Sequence, residues 1–202
     1  MTCSSAAGRG LGNWAARNKM KAISTDPIRF TSNSFIKHCT KIPQEGIIGD
    51  ELGRGGNNKV FEYMSNGKKY VLRVPRRQSD TQKKGSAVWE FRAALKASQI
   101  GSGPLVYDGW YARHTSNGFP SGLYMISEFF EFDYDVLFRS EDLRETIVQK
   151  SDSIAHSIAE CLCKLANHKI LLYDLKPSNI VIDLNKGIAK IVDFGRDFCE
   201  MG

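Results

Sequence analysis

Residues 171–195, L-L-Y-D-L-K-P-S-N-I-V-I-D-L-N-K-G-I-A-K-I-V-D-F-G, constrain the fold more than any other stretch of this 202-residue chain. Two apolar runs, Ile180-Val181-Ile182 and Ile188 to Val192, flank Asn185-Lys186-Gly187. Short β-branched runs about a Gly turn predict a β-hairpin. Such a hairpin draws the polar loop before its first strand, with Asp174, Lys176 and Asn179, towards Asp193 after its second. Carboxylate and amide oxygens gathered this way suit magnesium, which takes few protein ligands and is held in company with substrate phosphates. A surface hairpin with charged ends is the plainer alternative. It leaves unexplained why each position that a metal site needs carries a ligand.

Composition narrows the class. Hydrophobic and charged fractions of 42% and 25% are those of an ordinary globular chain. No apolar run approaches the roughly 20 residues of a membrane helix, so no membrane is expected. Five cysteines without a C-x-x-C pair predict reduced thiols in an intracellular, cytoplasmic protein and no zinc site. The net charge of +6 could serve nucleic acid, but aromatic and basic residues do not interleave over a defined surface, and nucleic acid is disfavoured. A polyphosphate ligand accounts for the excess more simply. Residues 1–45 lack apolar periodicity and carry no acidic residue before Asp26. They read as a basic, flexible arm, with an organelle transit peptide as the alternative.

Folded sequence is expected from Gly46. Ile47 to Leu52 lead into Gly53-Arg54-Gly55-Gly56-Asn57-Asn58-Lys59-Val60, read as strand, Gly-rich turn and strand. Glycines there let backbone N–H groups approach phosphates. Asn66-Gly67 predicts a tight hairpin into the strand Lys69 to Val74. Ala87 to Ile100 has helical periodicity, with Val88, Phe91, Leu95 and Ile100 on one face and Glu90 seventeen residues after Arg73. Strands are expected at 105–111 and 123–130. A loop and short helix should cover 133–144. A helix capped by Ser151 or Asp152 should run from Ser153 to about His168.

Asp174-Leu175-Lys176-Pro177-Ser178-Asn179, followed fourteen residues after Asn179 by Asp193-Phe194-Gly195, resembles the catalytic and metal-binding loops of the protein kinase superfamily. The resemblance covers 46–202. It implies an α+β class and a bilobal, protein kinase-like fold. A small antiparallel β-sheet lobe with one helix (46–130) would join a shortened, mainly helical lobe (131–202). Under it, Gly53, Gly55 and Val60 match the nucleotide-covering loop, with Asn58 at the third glycine and positive φ available to it. Arg73 takes the strand-lysine position and Glu90 would pair with it. Ser127 would back the adenine pocket, and the backbone of Glu128 to Phe130 would meet the adenine edge. Asp174 would take the acceptor proton, Lys176 would neutralise the γ-phosphate, and Asn179 and Asp193 would hold magnesium.

The implied activity is an ATP- and Mg2+-dependent phosphotransferase. The Lys176-Pro177-Ser178-Asn179 wording favours a protein Ser/Thr acceptor. Three departures keep alternatives open. Leu172-Tyr173-Asp174 replaces H-R-D, which removes the arginine partner of a phosphorylated activation loop. Arg73 replaces lysine, as the resemblance implies for some small-molecule kinases of the same fold. Only seven residues follow Gly195, so the A-P-E segment and later helices are expected to be missing. The alternatives are a nucleotide-binding pseudokinase or kinase fragment acting as a regulatory module, with a partner chain completing the large lobe, and a small-molecule kinase.

Overall fold

The computed structural model describes residues 27–29, 46–55, 58–76, 84–112, 122–172, 174–194 and 199–200. Readings that fall on the rest of 1–45, and on Gly56, Asn57, Tyr173 and Gly195, lie outside the described residues.

Six strands form one antiparallel sheet: β1 (Pro27–Arg29), β2 (Ile47–Arg54), β3 (Asn58–Ser65), β4 (Lys68–Pro75), β5 (Val106–Ala112) and β6 (Gly122–Glu128), in the order β1-β5-β6-β4-β3-β2. Asn66 and Gly67 both take positive φ, 50° and 72°, and close β3 onto β4 at Ser65 and Lys68. That is the two-residue turn whose twist matches the flanking strands. Strand alternation sorts the sheet into two faces. Phe61, Tyr63, Leu72, Val74, Trp110, Tyr124 and Ile126 share one buried cluster. Leu123 and Met125, alternating with the latter pair on β6, pack instead on Phe91, Leu95 and Val106. Within the stretch expected to be an arm, Pro27–Arg29 pair with the edge of β5, Ile28 opposite Tyr111.

The helix expected from Ala87 spans Lys84–Gln99 (α1). Its successive i, i+4 pairs serve two clusters. Phe91 and Leu95 face the sheet, while Ala93 and Ala97 meet Cys161, Leu165, Ile170, Ile191 and Phe194 of the second lobe. Ile100 joins the second cluster, so the single apolar face read from sequence is in fact split between the lobes.

The second lobe holds β7 (Phe132–Asp133), α2 (Tyr134–Arg139), α3 (Arg144–Asn167), β8 (Ile170–Leu171), β9 (Ile180–Asp183), β10 (Ile188–Ile191) and β11 (Cys199–Glu200). Asp133 caps α2, accepting from the Val136 N–H at 2.8 Å. The helix expected from Ser153 begins nine residues earlier, at Arg144, with no side-chain cap at Leu143. Leu143 and Ile147 continue the stripe of Ile154 and Ile158 into one cluster with Leu137, Ile180 and Ile182. Tertiary burial therefore overrides the Ser-Asp start signal. Ser151 donates to the Val148 carbonyl within the helix. The predicted hairpin is present: β9 pairs antiparallel with β10, Ile182 opposite Ala189, through a turn at Gly187 with φ 65°. The α+β, bilobal, kinase-like class read from sequence is the fold observed. No helix among the described residues is long and apolar enough to cross a membrane.

Candidate active site

The site is assembled from both lobes. On the sheet, Val60 lies opposite both Gly53 and Arg73, so Arg73 projects from the same face as Val60, the face that α1 covers. There the Arg73 Nη2 donates to the Glu90 Oε2 at 2.5 Å, the two side chains being only 19% and 13% exposed. A guanidinium–carboxylate pair so enclosed is screened less than a surface pair. It fixes a cation on the middle of the sheet, next to the Gly-rich turn. At that turn a Cβ built on Gly53 would meet nothing within 4 Å, and one on Gly55 only the Asn58 carbonyl at 3.7 Å. Glycine is not demanded there by protein crowding. Its absence of a side chain leaves bare backbone beside open space, which fits a phosphate ligand.

Asn58 differs from expectation. It is not among the positive-φ residues; it opens β3 opposite Pro75. Its side-chain amide donates to the Glu90 Oε2 at 3.2 Å. Sequence reading missed this contact because the partners are 32 residues apart and no local pattern couples them. Arg76 adds a longer tether, Nη1 to the Gly55 carbonyl at 3.4 Å.

At the end of β6, Ser127 is buried at 7% exposure and pairs with Val71 and Val106. Glu128 is held by the chain before β5. Its N–H donates to the Leu105 carbonyl at 2.8 Å and its carboxylate accepts from the Leu105 N–H at 3.1 Å. Phe130 follows, half-buried, outside any strand.

In the second lobe, Pro177–Asn179 form one 3-10 turn, with proline opening it. Asn179 is 6% exposed and tied twice. Its side-chain Nδ2 donates to the Asp174 carbonyl at 3.0 Å, and its own carbonyl accepts from the Val192 N–H at 2.8 Å. The first bond uses the amide's nitrogen and leaves its oxygen, the atom a metal would use, outside that contact. The second draws the residue before Asp193 onto the 3-10 turn. The hairpin thus brings the loop of Asp174 and the exit of β10 together, as its sequence predicts.

Asp193 is exposed and takes φ 61°, the left-handed region that Asp tolerates better than most residues. Phe194, 3% exposed, locks it in place by packing in the cluster shared by α1 and α3. Asp174 and Lys176 are about half exposed, and the Lys176 Nζ donates to the Asp174 Oδ2 at 2.5 Å. That pairing is visible only in the structure. No group of three or more His, Cys, Asp or Glu side chains gathers among the described residues. The candidate cation ligands are therefore one carboxylate and one amide, Asp193 and Asn179. A hard cation that keeps waters and phosphate oxygens in its shell fits so small a set.

Comparison with known proteins bears on the family and the fold. Residues 47–197 match the family model described as "Protein kinase domain". A 62-residue stretch is 37% identical to the dual specificity protein kinase zak2 of Dictyostelium discoideum, covering 30% of this chain and 10% of that protein. The fold is similar to the autoinhibited serine kinase domain of the giant muscle protein titin, with a TM-score of 0.56 and 20% identity over 78% of this chain and 46% of that one. The chain thus spans less than half of the solved domain and a tenth of the Dictyostelium protein it matches.

Proposed function

The chain belongs to the protein kinase domain family, and from that premise we propose that it is an ATP- and magnesium-dependent phosphotransferase acting on a serine or threonine hydroxyl of a protein. The observation that carries this reading is the double tie of Asn179. It joins the Asp174 loop and the approach to Asp193 in one buried turn, so acid–base and metal-ligand groups belong to a single rigid feature.

Phosphoryl transfer asks a protein mainly for positioning and charge neutralisation. In the proposed reaction the acceptor oxygen bonds to the γ-phosphorus as the bond to the bridging oxygen breaks, and ADP leaves. The acceptor proton passes to the Asp174 carboxylate. Lys176, already on that carboxylate, would also meet a γ-phosphate oxygen. Arg73, braced by Glu90, grips the α- and β-phosphates while Gly53 and Gly55 cover them. Glu128 spends its N–H on Leu105, so its share in an adenine contact falls to its carbonyl, beside the backbone of Phe130. Asn179 and Asp193 would hold magnesium, whose charge offsets that building on the phosphates.

A nucleotide-binding module without turnover is the second reading, favoured by one observation. Arg73 is a planar, forked cation where the family places lysine, and the two do not direct their donors alike. Thermal melts of the full chain with ATP, with and without magnesium, beside Asp193→Ala, test binding. A ligand selective for the folded state raises its stability by RT ln(1 + [L]/Kd). The expected result is a magnesium-dependent rise that Asp193→Ala abolishes. A sharp melt unmoved by ATP would overturn the nucleotide reading. Phosphate release or transfer to Ser/Thr peptides then separates the enzyme from the module.

A further inference from the structure

We propose that Asn58 is a positioning residue that latches Gly55 to α1 through Glu90, so that Gly55 keeps its place beside a nucleotide's phosphates only while the Arg73–Glu90 pair is made. The latch itself stands on the geometry; its consequence for nucleotides rests on the function proposed above.

Asn58 and Val60 are two apart on β3 and so share a face, the one from which Arg73, opposite Val60, also projects. Glu90 on α1 reaches that face. Its single oxygen Oε2 accepts from both the Arg73 Nη2 and the Asn58 Nδ2, at 2.5 and 3.2 Å. One carboxylate oxygen therefore ties the strand cation and the first residue after the loop to the same helix.

Asn58 in turn holds Gly55, whose N–H donates to the Asn58 carbonyl at 2.9 Å. A shift of α1 that withdraws Glu90 removes the acceptor of both donors together. Hydrogen bonds to a charged acceptor are stronger than neutral ones, so the Asn58 contact depends on the Glu90 carboxylate staying in reach. A glycine here would supply backbone freedom, yet the φ of Asn58 is not positive. The residue is used for its amide rather than for a glycine-like conformation.

The test uses the full chain and two readouts. Without nucleotide, amide hydrogen exchange at Gly55 is followed by NMR in the unmodified chain, Asn58→Ala, Glu90→Ala and the double variant. Asn58→Ala should speed Gly55 exchange by about tenfold, the weight of one hydrogen bond to a charged group. In the Glu90→Ala background it should add nothing further. Asn58→Asp, of equal size but repelled by Glu90, should speed exchange as well, and it serves if the alanine variants fold poorly. With magnesium present, Asn58→Ala should weaken ATP several-fold and leave adenosine unchanged, because Gly55 is proposed to serve the phosphates and not the base.

Equal increments of exchange in both backgrounds, or no increment in either, would overturn the latch. So would equal losses of ATP and adenosine affinity, which mark a merely structural residue. If the unmodified chain binds no ATP, the nucleotide reading fails and the exchange cycle still decides the latch. If ATP binds while exchange shows no coupling, the latch fails and the nucleotide reading stands.

Discussion

Cys161 and Cys163 sit two residues apart on α3, roughly 200° around the helix axis from one another, and their environments follow from that angle. Cys161 is 2% exposed, and its thiol donates to the Ala189 carbonyl of β10 at 3.5 Å. Burial pushes the Cys161 thiol up from its ordinary value, with the Lys190 and Lys164 charges opposing that rise. Cys163 is exposed. The nucleophile is the thiolate, so a raised value and enclosure act in the same direction at Cys161. Iodoacetamide at neutral pH should modify Cys163 readily and Cys161 only after the chain is unfolded, read by peptide mass mapping. Equal labelling of the two in the folded chain would contradict the packing of α3 on β10. Cys161 follows Ile154 by seven residues, two helical turns, so its burial is of the kind that spacing in a long helix makes legible. The metal and acid–base candidates were legible for a different reason: a site that needs oxygen ligands can use few residue types. Pairings between side chains were not. The contacts of Lys176 with Asp174 and of Asn58 with Glu90 depend on rotamers and distant backbone that no local pattern encodes.

An element is placed by what it packs against, and Gly109 shows how closely α1 rests on β5. A Cβ at Gly109 would lie 2.1 Å from the Phe91 Cε2 and 2.6 Å from its Cζ. Phe91 is 4% exposed and has no room to retreat. Gly109→Ala should therefore lift α1 from the sheet and destabilise the chain by about 1–3 kcal/mol, the usual cost of overpacking. For a chain of this size that is a loss of several degrees in Tm, at roughly 2–4 °C per kcal/mol. Gly109→Ala with Phe91→Leu should cost less than the sum of the two single changes, since the contacting pair is coupled. Additive losses in urea or thermal denaturation would refute the contact. The same lift should also stretch the Arg73–Glu90 pair, because Glu90 precedes Phe91. The strand holding Gly109 and the helix holding Phe91 were both legible from alternation and periodicity. Their point of contact was not, since it lies 18 positions apart in sequence and has no signature. The early start of α3 was hidden likewise: Ser151 and Asp152 mimic a cap, and only burial of Leu143 and Ile147 against the β9–β10 hairpin shows that the helix is already under way.

The two lobes meet through a core of their own. Ala93 and Ala97 of α1 join Cys161 and Leu165 of α3, Ile191 of β10, and Phe194 in one buried cluster. The loop between α1 and β5 is wedged into the same seam. The Ser102 hydroxyl, fully buried, donates to the Cys161 carbonyl at 3.0 Å, the Ser102 carbonyl accepts from the Ile191 N–H at 2.9 Å, and the Lys190 Nζ donates to the Gly101 carbonyl at 2.6 Å. Opening that seam would strand buried polar groups and expose apolar surface from both sides at once. The lobes should therefore unfold as one unit. The three tryptophans, Trp14, Trp89 and Trp110, all precede residue 111, so their fluorescence reports on the N-terminal half, whereas far-UV circular dichroism draws most on the 24-residue α3. In the unmodified chain the two melting curves should coincide. Leu165→Ala removes a side chain with 1% exposure from α3, a change of the kind that costs about 2–5 kcal/mol. Although Leu165 lies far in sequence from every tryptophan, both curves should move down together by several degrees. If only the dichroism curve moves, the lobes melt independently, and the shared cluster does not bind α1 to α3 as its packing implies.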